Sequence, residues 1–369
     1  MLQDKISETN QLPPNSAFFI PFSMQMGVGL LAFLRTIPAE AGRDAWITVI
    51  LSGFLTLAIM AIIFRLLETE RKFGRPDLFS IHQRLFGKWI GGLLNFLALV
   101  YIAIHGVAFL RTYFQVINVW IFPQLPVWEF SILFCLLLWY IVLGGIRVIG
   151  GICFMSFIIL VIMMPTNAFA VQYAHFFNLL PLFETSPLMV LKSFITAAQS
   201  FGGFEMILFF YPFIKKPEAA RKWGYFALLT STYTYLTIML LGLLYFNQPE
   251  LQKLLWPITT YWKRINFPLF SHFDIIGIFS IFWILLPSIA FSVWAISRGI
   301  KHLFPIKQKI ALILVLIIFV VLCQIPKNGG DLILLNQLYT QAAFYFMYAY
   351  IPCLFFIQWI SGKVRQKSS

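Results

Sequence analysis

The chain has 369 residues, of which 60% are hydrophobic and 11% charged, with a mean hydropathy of +0.83. Soluble domains carry about 25% charged residues, so this composition excludes a soluble fold and makes the lipid bilayer the solvent. The formal charge of +13 comes with no Lys/Arg stripe interleaved with aromatics outside the apolar runs, which speaks against nucleic acid and assigns the charge to membrane topology.

The first ten residues, M-L-Q-D-K-I-S-E-T-N, are polar and mixed in charge, unlike the opening of a cleavable signal peptide. A spanning helix needs about 20 largely apolar residues. That length predicts about ten spans, at roughly 15–35, 45–67, 88–112, 127–144, 148–171, 188–213, 222–246, 273–297, 309–325 and 335–360. Spans four and five are separated by little more than G-G-I-R, which demands a tight helical hairpin. With the N-terminus inside, 19 of the 27 Lys and Arg fall in inner segments, so both termini are expected on the cytoplasmic side.

The expected fold is therefore all-α and integral to the membrane, one transmembrane domain over residues 1–369. Ten spans divide into five and five, and an odd number per half inverts the second half relative to the first. Repeat one is expected at about 15–171 and repeat two at about 188–360. Span one carries Gly27, Val28 and Gly29 in the run Q-M-G-V-G-L. Span six, its counterpart, carries Phe201, Gly202, Gly203 and Glu205 in S-F-G-G-F-E. Glycine-interrupted segments at matching positions of two halves point to a transporter-type site, because an unwound turn offers peptide groups to a small polar ligand. The competing reading is that these glycines only let helices pack closely.

Glu205 is the sharpest single residue, since an intramembrane carboxylate is costly and marks function by default. It is open to binding a ligand's amino group, carrying a proton, or pairing with a cation, with Arg111 and His105 as the expected partners. Tyr101 and His105 on span three are four residues apart and share a face. Ser288 and Ser292 on span eight do the same beside Pro287, either lining a cavity or bonding back to their own helix. Glu68, Glu70 and Asp77 sit among basic residues and read as a solvated inner face. Residues 250–264 are amphipathic and aromatic, suited to the outer surface or a lid over the site. Cys135, Cys153, Cys323 and Cys353 form no C-x-x-C pair and are expected as small buried hydrophobes. No metal site, cofactor or catalytic constellation is expected, and the chain does not read as an enzyme.

Ten spans with two breaks and an inverted repeat resemble the amino acid–polyamine–organocation superfamily of permeases. The stretch I-S-E-T-N-Q-L…G-V-G-L-L-A-F-L-R-T-I-P-A-E-A-G-R-D-A-W-I, residues 6–47, is similar to the opening of spore germination permeases, the B subunits of germinant receptors. The A-G-R-D-A-W-I run at 41–47 is its most diagnostic part. The resemblance implies a nutrient receptor of the cell membrane or inner spore membrane, working with A and C subunits. Its ligand would be an amino acid, sugar or nucleoside, held by Gly27, Val28, Gly29, Phe201, Gly202, Gly203 and Glu205 with walls from spans three and eight. The alternative is a secondary active transporter that moves its substrate. Some relatives in the wider superfamily couple protons through a Lys in span five. Here Thr166 and Asn167 are the polar residues of that span, which puts proton coupling in doubt.

Overall fold

The computed structural model describes residues 11–263 and 273–367. Lys5, residues 6–10 of the opening motif and Arg264 lie outside the described residues. The helices, in chain order, are α1 (Ser16–Gln25), α2 (Val28–Ala41), α3 (Ala45–Arg71), α4 (Leu78–Trp120), α5 (Val127–Leu143), α6 (Gly145–Met163) and α7 (Ala168–Val171). They continue as α8 (Pro187–Phe201), α9 (Ile207–Phe210), α10 (Pro217–Tyr245), α11 (Gln248–Lys253), α12 (Pro257–Trp262), α13 (Phe273–Leu303), α14 (Gln308–Cys323), α15 (Gly329–Tyr345) and α16 (Ile351–Lys367). Among the described residues no strand forms beyond one isolated bridge, Leu12 with Ile214.

Among the described residues, six helical runs are long and apolar enough to cross a membrane, and the bent pair Pro187–Phe201 with Phe204–Phe213 adds a seventh. The run Val28–Arg71 turns at Gly42, whose φ of 55° stops α2 before α3 begins. Helices α5 and α14 are shorter, at 17 and 16 residues. With α1 joined to α2, and α15 to α16, these segments account for the ten predicted spans. The hairpin between spans four and five is as tight as expected: α5 ends at Leu143 and α6 starts at Gly145, with φ of 76°. Span three starts earlier than predicted, because α4 runs from Leu78 through a kink at Gly87.

Burial is inverted relative to a soluble protein. Leu133 is 65% exposed and Phe54 also 65%, while Ser23, His105, Glu205, Ser288 and Ser292 are all buried. Apolar groups lose nothing by facing lipid, whereas a polar group there must find a partner inside the bundle. Packing follows the five-and-five division. Span one lies on six, two on seven, three on eight and four on nine. Cross pairs come as matched sets: one with five and six with ten, one with seven and six with two, three with ten and eight with five.

Two expectations about the inner face are corrected. Glu70 and Asp77 are not solvated; they are 2% and 4% exposed. Glu70 accepts from Arg84 Nε at 2.7 Å, and Asp77 caps α4 through Ser80 N–H at 2.8 Å while pairing with Arg75. Carboxylates this deep persist because each has a cation or backbone donors. Glu68 is exposed, as expected. Cys135, Cys153 and Cys323 are buried, but Cys353 is exposed on α16.

Candidate functional site: the paired breaks and the cleft above them

Both predicted interruptions exist. α1 stops at Gln25, Met26 leaves helical geometry at φ −77°, ψ 67°, and α2 restarts after Gly27 at φ −117°, ψ −147°. α8 stops at Phe201, and Gly203 adopts φ +106°, a left-handed turn that side chains resist. A Cβ at Gly203 would stand 2.7 Å from the Met24 backbone. One at Gly29 would stand 2.5 Å from Ser200 Cα, so the close-packing role and the break coexist. The two breaks are stitched together by a residue the sequence reading missed. Gln25 Nε2 donates to Phe201 O at 2.9 Å, and Tyr235 Oη donates to Gln25 O at 2.7 Å. Gln25 stands immediately before the span-one break, which was a usable signal; nothing local marked Tyr235.

Glu205 is fully buried. Its Oε1 accepts from Tyr101 Oη at 2.5 Å, and its Oε2 accepts from Gly203 N–H at 2.7 Å. The expected partners are thus wrong. Arg111 lies at the other end of α4, donating to Pro326 O with its guanidinium 5.1 Å from the Phe114 ring centre. His105 Nδ1 bonds Ser292 Oγ at 2.9 Å on span eight. Ser292 Oγ donates in turn to Ser288 O, and Ser288 Oγ donates to Ser23 O of span one at 3.3 Å. Of the two readings for the serines, Ser292 follows the back-bonding one and Ser288 ties span eight to span one. Thr166 and Asn167 also bond locally, to Met163 O and Met164 O.

The structure therefore brings Tyr101, Gly203 and Glu205 together in one network and His105, Ser288 and Ser292 in an adjacent one. Aromatic rings fill the space between: Phe109 packs on His105 at 4.1 Å, and Tyr101 stacks near Tyr339 at 6.4 Å. Among the described residues, His105 Nε2 and Gln25 Oε1 are buried without a hydrogen-bond partner. Two unsatisfied polar atoms beside the breaks call for a polar partner. The cavity touching Gly27 holds about 40 Å³ and is walled by Asn167 and otherwise by apolar residues, including Leu30, Met163 and Trp262. That is room for a water or two.

A larger opening lies directly above, on the face where α2 and α4 end and α8 and α15 begin. This cleft encloses about 540 Å³, and its floor includes Val28 and Gln199, either side of the two breaks. Gln199 Nε2 donates to Asn336 Oδ1 at 3.0 Å, and Asn336 Nδ2 donates to Thr112 Oγ1 at 3.1 Å, linking spans six, ten and three. The segment 250–262 does not lie loose on the surface. α12 is packed against α2 and α13 with Trp256, Tyr261 and Trp262 buried, and only Leu255 and Trp256, just before it, reach the cleft. The opposite face is shut. Leu12 N–H donates to Phe213 O at 2.7 Å and Lys215 N–H to Leu12 O at 2.9 Å. The Phe213 ring is held between Arg75 and Arg298, at 5.5 and 4.3 Å.

The A-G-R-D-A-W-I run has a structural role. Asp44, 1% exposed, accepts from Phe183 N–H and Thr185 N–H at 2.8 and 2.9 Å, fastening the span-one turn to the loop before span six. The comparisons with known proteins agree with this architecture. The family described as spore germination protein matches residues 11–332. GerQB, a spore germination protein of Bacillus cereus, is 37% identical over 96% of this chain and 98% of its own length. Spore germination protein YndE of Bacillus subtilis is 23% identical over 95% of this chain and 97% of its own length. Among solved structures, the substrate-bound outward-open state of a Na+-coupled sialic acid symporter superposes with a TM-score of 0.63 at 15% identity, covering 92% of this chain and 80% of that one. The likeness to the symporter concerns the fold. With the family match over residues 11–332, the 37% identical relative and several apolar membrane-crossing helices, the chain belongs to the spore germination permease family, a family of multi-pass membrane proteins.

Proposed function

We propose that this chain is the nutrient-sensing, permease-like subunit of a spore germinant receptor. A small nutrient such as an amino acid or sugar binds where spans one and six are broken. The observation that carries this is the pair of facing breaks with a buried carboxylate, Glu205, held by Gly203 N–H and Tyr101 Oη. His105 Nε2 beside it, buried without a partner among the described residues, supplies a further polar contact for a ligand. Opening the site requires the Phe109 and Tyr339 rings to move aside, which couples binding to a change of helix packing. That change is the signal passed to the A and C subunits. The protein lies in the inner spore membrane with both termini cytoplasmic, and its two repeats span about 15–171 and 188–360.

A second reading, a secondary active transporter, is supported by the fold shared with a symporter. Fold alone does not choose between them. Deleting the gene and assaying germination on single nutrients separates the two: a receptor loses the response to a particular nutrient. Reconstituted protein that accumulates labelled nutrient unaided, with germination intact in the deletion, would replace the receptor reading by the transporter.

A further inference from the structure

The cleft above the breaks has a lining that the break itself lacks. Five carboxamides face it, Gln115, Gln199, Asn336, Gln337 and Gln341, along with four threonines. Small-molecule sites are ordinarily lined mostly by apolar groups with a few polar ones. Here the polar groups dominate one wall, and Trp256 stands among the residues of the flank. Its volume of about 540 Å³ falls in the ~300–1,000 Å³ range of small-molecule sites.

The floor is fixed in advance by the Gln199–Asn336–Thr112 chain. Gln115, Gln337 and Gln341, by contrast, make no side-chain hydrogen bond with another described residue, so their amides are available to an occupant. A carboxamide offers both a donor and an acceptor without charge. Arg35 and Glu40 place one charge of each sign on the lining, and neither forms an ion pair within the described residues. A wall of neutral donor–acceptor groups complements a solute whose surface alternates donors and acceptors without net charge, and a sugar ring with its hydroxyls has that surface.

We infer that the cleft is a separate, first binding site for an uncharged polyhydroxyl solute: a free sugar or the sugar of a nucleoside. The occupant is gripped from the outer side by spans one, three, six and ten before it reaches the breaks. The inference deepens the nutrient-binding reading and rests on it for the direction of travel. It assigns recognition to the cleft and leaves response to the break.

The test uses the full-length chain in lipid nanodiscs and equilibrium binding of tritiated D-glucose, D-ribose, the four common ribonucleosides and L-alanine. A sugar-bearing probe is expected to bind, glucose or ribose alone marking the free-sugar arm and nucleosides alone the nucleoside arm. Gln337→Ala with Gln341→Ala, whose side chains bond nothing else described, is expected to weaken that probe at least ten-fold with the melting temperature unchanged. Asn336→Leu, which also breaks the Gln199–Asn336–Thr112 chain, should weaken the probe at least as much. Gly151→Ala, away from both the cleft and the breaks, is expected to keep binding within two-fold. Three results overturn the proposal. In the first, only L-alanine binds. In the second, no probe binds the wild-type chain. In the third, the glutamine pair binds as wild type while Glu205→Gln loses the ligand. The last would leave the receptor reading standing, whereas a deletion without any nutrient-specific germination defect removes that reading whatever the cleft does.

Discussion

Replacing Gly203 by alanine tests the turn on which the span-six break depends. At φ +106° an L side chain is strained, at a cost of roughly 1–3 kcal/mol. Its Cβ would also meet Met24 C, Cβ and O at 2.7 Å. Backbone cannot swing aside as a side-chain tip can, so overpacking adds roughly 1–3 kcal/mol. Together these give a loss of about 2–6 kcal/mol. The matched control is Gly151→Ala inside α6, where a Cβ meets nothing within 4 Å. There the helix gains about 0.5–1 kcal/mol from losing a glycine. The assay is the monodisperse fraction of purified protein in detergent after heating, read by size-exclusion chromatography as a half-life at fixed temperature, since large membrane proteins unfold irreversibly. The two alanines should move in opposite directions, with Gly203→Ala far shorter-lived. If Gly203→Ala survives as long as Gly151→Ala, span six does not turn left-handed against Met24 and the description of the break is wrong.

Tyr101→Phe removes one of the two donors to Glu205 Oε1 and Oε2, leaving a buried carboxyl group short of a hydrogen bond at about 1–3 kcal/mol. Glu205→Gln in a Tyr101→Phe background should then recover stability, which a melting series on the single and double variants checks. Arg84→Ala strands the buried Glu70 carboxylate and is expected to cost about 3–5 kcal/mol, whereas the double replacement Glu70→Leu with Arg84→Met should lose much less. Equal damage from the single and the double would deny the ion pair its role. An apolar maleimide added to the folded protein in detergent should label one thiol per chain, on Cys353, and labelling should vanish in Cys353→Ser. Mass spectrometry showing Cys135, Cys153 or Cys323 modified as readily would contradict their burial.

Much of this architecture is legible in one dimension because membrane insertion is a local test. The length of an apolar run decides whether it spans, and that reading located the ten segments to within a few residues for most. Span three departed because its N-terminal extension, Leu78–Phe86, carries charged and polar residues before the Gly87 kink. The breaks were equally local, since Gly27, Gly202 and Gly203 are where a helix in lipid would least tolerate interruption without cause. Partner choice was not local. Glu205 was expected to meet a cation, but Tyr101 came to it from 104 residues away in sequence. Sharing a face with His105 put Tyr101 on the right side of span three and said nothing of which neighbour that side would meet.

The acidic residues around the turn between spans two and three show the same limit. Glu70 and Asp77 read as solvated because they sit among lysines and arginines, and the fold buried both against particular guanidinium groups. The cleft is the furthest case. Gln199, Asn336 and Thr112 lie on three helices, each next to another polar residue (Ser200, Gln337 and Arg111), and nothing in the sequence says that these three meet. Composition, span positions and the two weak points in the helices follow from the chain alone, because burial in lipid and loss of helical propensity are paid residue by residue. Which side chains face one another, which carboxylates are covered and where a polar hollow opens depend on how ten helices rotate and dock, and periodicity within one helix contains no information about the rotation of its neighbours.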